Sequence, residues 1–202
     1  MSHTLPEFSA FLTRVREAFA AGGDVEERMT LARPALEELV GSPAVRDHST
    51  TWPSTEGHKN LLLHEDPEYG FVVNAVVRMG GNATTRVHDH ADAWVLYGLV
   101  DGTESLRRYD RLDDGSDPTF ADVRLASESV SGPGTVDLVP GFGIHAEIQG
   151  PTRSVAVIIR SERLVGRKLQ GRYDPETKAR TEGVGPTQVP FALVDVAAEA
   201  AH

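Results

Sequence analysis

The residues of this chain best suited to chemistry begin with His88-Asp89-His90. On an extended strand, residues two apart project to the same face, so the two imidazoles would lie together and Asp89 would point the other way. Two imidazoles on the inner face of a barrel can chelate one ion, and imidazole is the usual ligand for iron, zinc, copper or nickel. A solvated surface pair is the alternative reading of so short a pattern. The chain has no cysteine, which excludes disulfides, thiolate zinc sites, iron–sulfur clusters and cysteine nucleophiles.

The elements that must position these histidines fall into two parts. Leu5, Phe8, Phe11, Leu12, Val15 and Phe19 recur at helical spacing, which predicts a helix over 5–21 ended by Gly22-Gly23. Asp24 is the expected N-cap of a second helical stretch, which Pro34 is expected to divide in two. After about residue 50, short β-type runs take over: 71–77, 93–100, 104–111, 135–139 and 154–160, with glycine- and proline-rich turns between them. The region after Gly171 reads as polar and turn-rich. Strands do not alternate with helices, so the expectation is an antiparallel sandwich or barrel and not a parallel α/β fold.

With 202 residues, one domain with a real core is expected. The net charge of −10 argues against nucleic acid or an anionic membrane as a partner. No secretory leader or membrane-spanning run is visible, so a cytoplasmic location is expected.

The spacing around the histidine pair resembles the two-part motif of the cupin superfamily, over roughly residues 58–175. In the first part, His88 and His90 are followed by Val95 in the slot of the family's glutamate and by Gly102. In the second, Gly134, Pro140, His145 and Gln149 fall in register, while Phe142 occupies a glycine slot between Gly141 and Gly143. The resemblance implies a mainly β, double-stranded β-helix (jelly-roll) barrel with an N-terminal helical extension. The implied layout is a helical part over 1–45, a barrel over 46–180 and a partly extended C-terminal segment over 181–202, with a frayed end expected over 197–202. It also implies a metal held by His88, His90 and His145. Valine has no donor atom, and Asp92 is the nearest substitute carboxylate in the sequence, so the implied site has three neutral ligands. Such a site leaves positions open on Fe(II), with Zn or Ni as chemical alternatives.

The stretch from His88 through Trp94 to Gly102 is similar to that of cysteine dioxygenase and related thiol dioxygenases. This likeness implies oxidation of a small anionic thiol to a sulfinate with O₂ on iron. Lys59, in Lys59-Asn60-Leu61-Leu62, falls where that family carries a substrate-binding arginine. The chain departs from the family at its Ser-X-His-X-Tyr pattern, whose slots hold Ala156, Ile158 and Arg160. Arg160 is then a second candidate for the anion clamp, because its planar fork suits a carboxylate; a snorkelling surface arginine is the alternative. Two other readings stay open: a three-histidine cupin oxygenase cleaving a diketone-like substrate against the apolar Ile158 wall, and a non-catalytic cupin that binds a metal or ligand.

Smaller expectations complete the reading. By strand parity, Trp94 would share the face of the histidines and Tyr97 would not. Glu147 reads as an exposed charge near a strand end, with a hydrogen bond behind His145 as its alternative. His58 and His64 read as surface or turn residues, and His3, His48 and His202 as terminal or loop residues.

Overall fold

The computed structural model describes residues 5–193; the expected frayed end over 197–202, together with His3 and His202, lies outside them. Among the described residues three helices come first: α1 (Pro6–Ala20), α2 (Val25–Gly41) and α3 (Pro43–Ser49). Gly22 and Gly23 both take positive φ between α1 and α2. Asp24 caps α2 reciprocally: its carboxylate accepts from Glu27 N at 2.9 Å, and Glu27 accepts from Asp24 N at 3.1 Å. Pro34 does not divide α2. It stands on the exposed face, near exposed Thr30 whose carbonyl its missing N–H would have paired, so water can take that bond. Meanwhile Met29, Ala32, Ala35, Leu36, Leu39 and Val40 keep one buried stripe along the helix.

Twelve strands follow among the described residues: β1 (Lys59–Glu65), β2 (Val72–Arg78), β3 (Val87–His88), β4 (Val95–Asp101), β5 (Glu104–Arg111), β6 (Val123–Ser131), β7 (Val136–Val139), β8 (Ile144–Gln149), β9 (Ser154–Arg160), β10 (Gln170–Tyr173), β11 (Arg180–Gly183) and β12 (Thr187–Pro190). They form two six-stranded sheets, ordered β12-β1-β2-β9-β4-β7 and β11-β10-β3-β8-β5-β6. The pairings are nested: β5 with β6, β4 with β7, β3 with β8, β2 with β9. A single antiparallel ribbon has therefore been wound into two facing sheets, which is the jelly-roll order of a cupin-type double-stranded β-helix. The polar stretch after Gly171 is more ordered than its composition indicates, because β10 and β11 extend the second sheet and β12 adds parallel to β1.

Both faces of the first sheet are covered. Along β9, Val155, Val157 and Ile159 pack with the helices in one core, while Ala156 and Ile158 join the barrel interior. This two-sided burial makes β9 continuously buried. Helix α2 lies so close to β4 that a Cβ on Gly98 would stand 2.9 Å from Val40 Cγ1. Among the described residues no helix is long and apolar enough to cross a membrane.

Candidate metal centre

His88 ends β3 and faces His145 of β8 in direct register. The first strand stops there, so the two motif histidines do not share one strand as their spacing predicts. Ala91 takes φ 51°, turning the chain, and Asp89 holds the turn. The buried Asp89 carboxylate accepts from Ala91 N at 2.8 Å, Gly171 N at 2.9 Å and Tyr173 OH at 2.5 Å, pointing away from the rings. The turn delivers His90 to the same place that a continued strand would have reached. One ring nitrogen from each of His88, His90 and His145 lies within 4.8 Å of the others. Phe142 N donates to Ala91 O, and Phe142 itself takes φ 59°, so its glycine slot does demand the left-handed region.

The rings are prepared to act as neutral ligands. His88 Nδ1 lies 2.8 Å from Arg86 O and His145 Nδ1 lies 2.9 Å from Gly143 O. A carbonyl only accepts, so both Nδ1 atoms carry a proton, which leaves each Nε2 as the nitrogen that could meet a metal. His90 Nδ1 is buried and has no hydrogen-bond partner among the described residues. Burial, followed by the mutual repulsion of the rings and the charge of Arg160, pushes His90 well below the ordinary histidine range. Burial and the neighbouring His88 draw His145 down to about 4. A donor set of three uncharged imidazoles fits a divalent transition metal.

A cavity of about 610 Å³ between the two sheets is lined by His88 and His90, with His145 clustered beside them. Arg160, on the same face of β9 as Ala156 and Ile158, lines it and is 6% exposed. Its Nη1 donates to Asn74 Oδ1, and among the described residues its Nε has no hydrogen-bond partner and no carboxylate lies within ion-pair distance. Burial draws its pKa down to about 10, so it stays charged at neutral pH. Lys59 stands at the cavity's edge, exposed and with no ion-pair partner among the described residues. Val95 lies in the apolar interior, in register with Arg160 and Val139.

Other sequence expectations change. Tyr97, not Trp94, faces the cavity, since β3 and β4 belong to different sheets and the turn at Ala91 breaks strand parity; Trp94 packs toward the helices. The Tyr97 hydroxyl donates to Glu104 at 2.7 Å, and Ser154 and Arg78 bind the same carboxylate. Asp92 is exposed and paired with Lys168 at 2.5 Å. The carboxylate beside the rings is Glu147, buried and not exposed, 3.8 Å from His145 Nε2 and hydrogen-bonded by Thr85 at 2.7 Å. Burial alone would raise its pKa; attraction to the His88 and His145 rings and to Arg78, with the hydrogen bond from Thr85, outweighs that and holds it below the usual carboxylate range. His58 lines the cavity's edge, while His64 sits 3.5 Å from buried Asp66, away from it. Sequence reasoning also missed Asn60, Gln170, Arg86 and Arg172, which line the cavity. For Asn60 a signal existed in its place beside Lys59; for Arg172 nothing in the sequence showed that it would pair opposite His88.

No protein-family profile matches the chain, and no curated protein does. Among solved structures, it is similar to peruvianin-I, a cysteine peptidase from Thevetia peruviana latex, with TM-score 0.37 and 16% identity over 48% of this chain and 56% of that one. It is also similar to an uncharacterised protein with a double-stranded β-helix domain from Klebsiella pneumoniae, with TM-score 0.44 and 10% identity over 61% and 86% of the two chains. A third is an oxalate oxidase in complex with glycolate, with TM-score 0.41 and 20% identity over 56% and 54%. The chain thus spans little more than half the length of the first and third of these proteins.

Proposed function

We propose that the protein is a non-haem iron(II)-dependent dioxygenase of the cysteine dioxygenase-like type, which converts a small anionic thiol to its sulfinate with O₂. The observation that carries this reading is a cluster of three imidazoles, two of which line one cavity together with a buried guanidinium that has no carboxylate partner among the described residues. Iron(II) held by His88, His90 and His145 would supply a Lewis-acidic centre with open positions for a thiolate and O₂. The overall change balances without a further reductant: the sulfur loses four electrons, O₂ gains them, and both oxygen atoms end on sulfur.

The chain's own groups supply orientation. Arg160 binds the substrate's carboxylate through its unpartnered Nε and remaining Nη atoms, which fixes the reacting end beside the imidazoles. Asn74 holds the guanidinium in place. Glu104 accepts from Tyr97, Ser154 and Arg78, so this floor of the cavity is rigid and its polar atoms are satisfied. Val76 and Ile158 give an apolar wall, but the cations around it favour an anionic thiol over a diketone.

Oxygen uptake by the iron-loaded protein tests the reading against a panel of carboxylate-bearing thiols and diketones, with sulfinate measured by mass spectrometry. One O₂ consumed per sulfinate formed is expected, with a loss of roughly ten- to a hundred-fold in kcat/KM for Arg160→Met. Turnover of diketones alone, or no uptake with any thiol, would overturn it.

A further inference from the structure

We infer that the substrate carries two anionic groups, one on Arg160 beside the imidazoles and the other on Arg172 and Arg86 around His88. This rests on the anion-binding reading of the cavity and extends it to a substrate class. Arg172 of β10 lies opposite His88 in register and lines the cavity. Its Nη2 donates to Val184 O at 2.8 Å, which fixes the fork, and its other donors have no hydrogen-bond partner among the described residues. Arg86 lies two residues before His88, is exposed, and lines the same cavity. Neither has an ion-pair partner among the described residues, and nor does Lys59 across the cavity on β1.

Charge accounting sets the substrate class. Arg78 is neutralised by Glu104 at 3.0 Å. The remaining lining cations are Lys59, Arg86, Arg160 and Arg172, against only Glu56 and Glu147. This excess runs against the chain's net charge of −10, so average composition does not account for it. A monoanion on Arg160 would leave the fork of Arg172 unused, whereas a dianion engages both. Asn60 and Gln170, each 5% exposed and facing the cavity, offer neutral amides to the rest of the molecule.

Calorimetric titration with matched acids tests the inference: butyrate against glutarate, hexanoate against adipate, and each monoacid against a phosphonate-terminated analogue. The expected result is at least one two-headed acid binding about tenfold or more tightly than its monoacid, a ratio equivalent to about 1.4 kcal/mol. That ratio should fall toward one in Arg172→Met and in Arg86→Met, the latter an exposed change that spares the fold, while Arg160→Met weakens both members of each pair. Ratios of one throughout, with monoacids still dependent on Arg160, would overturn the second anionic group and leave the proposed function standing. Failure of every acid to bind, or indifference to Arg160→Met, would overturn both.

Discussion

Replacing Arg160 with methionine is expected to leave the metal-free protein as stable as before, or more so, although it deletes a buried, hydrogen-bonded side chain. Burial lowers the guanidinium from 12.5 to about 10. At about 1.4 kcal/mol per unit, the charged form carries on the order of 3 kcal/mol of unfavourable free energy in the folded state. A base whose folded pKa is lowered binds fewer protons folded than unfolded. The penalty is therefore complete below pH 10 and is relieved only as pH rises from there toward 12.5, so it is fully present at pH 7. Opposing it is the bond to Asn74, whose loss strands the Asn74 carbonyl at a cost of about 1–3 kcal/mol. The balance is a gain of about 0–2 kcal/mol. For a chain of this size that is a rise in Tm from nil to roughly 6 °C. A buried ion-pair arginine behaves oppositely, since removing one partner costs about 3–5 kcal/mol. Scanning calorimetry of both proteins, with and without a saturating carboxylate, separates the cases. The carboxylate should raise the Tm of the wild type and not of the variant. A marked fall in Tm for Arg160→Met, with anion stabilisation retained, would refute the reasoning.

Three further outcomes are expected. His88→Ala, His90→Ala or His145→Ala should largely abolish metal loading by elemental analysis while circular dichroism stays unchanged, and Asp92→Asn, whose carboxylate is engaged by Lys168, should load as the wild type does. Full occupancy in His145→Ala would reject the ligand set. The metal-free protein should lose stability as pH falls from about 6.5 to 4, because the unfolded chain protonates His145 first; from 6.5 to about 4 this residue contributes about 3 kcal/mol, readable from urea titrations at pH 7 and pH 4, and a flat profile would contradict a buried neutral ring. Phe142→Gly should stabilise by roughly 0.5–1 kcal/mol, since φ 59° is strained for a ring that is 66% exposed; destabilisation would show that the ring packs productively.

The histidine cluster was legible because its information is local: a two-residue step and a second spaced motif each locate a ring to within one turn of chain. The step worked even though its stated cause, a shared strand, gave way to a turn held by Asp89. Arg160 was legible for a sounder reason, since β9 is regular and a period of two carries directly from Ala156 to Arg160. Parity failed for Trp94 and Tyr97 because it cannot be carried across a turn and a change of sheet. Glu147 was misread because its burial comes from Thr85 and from the helix-covered sheet opposite, neither of which is visible in its own neighbourhood. Pro34 misled because a missing bond on a wet face costs less than the continuous apolar stripe gains. Arg86, Arg172 and Gln170 converge through pairing between strands far apart in the chain, and no spacing announces that.

The three apolar clusters of the described residues are unequal in extent. Most large buried side chains lie between the helices and the outer face of the first sheet, while the barrel interior holds a small cluster around Val95, Tyr97 and Ile158. The scaffold is thus held together from outside its own cavity. A lineage of such proteins could exchange the residues facing the cavity, charged for apolar or long for short, without unpicking what keeps the chain folded. In this architecture new chemistry is reached by changing the lining, and the helices are what make that change tolerable.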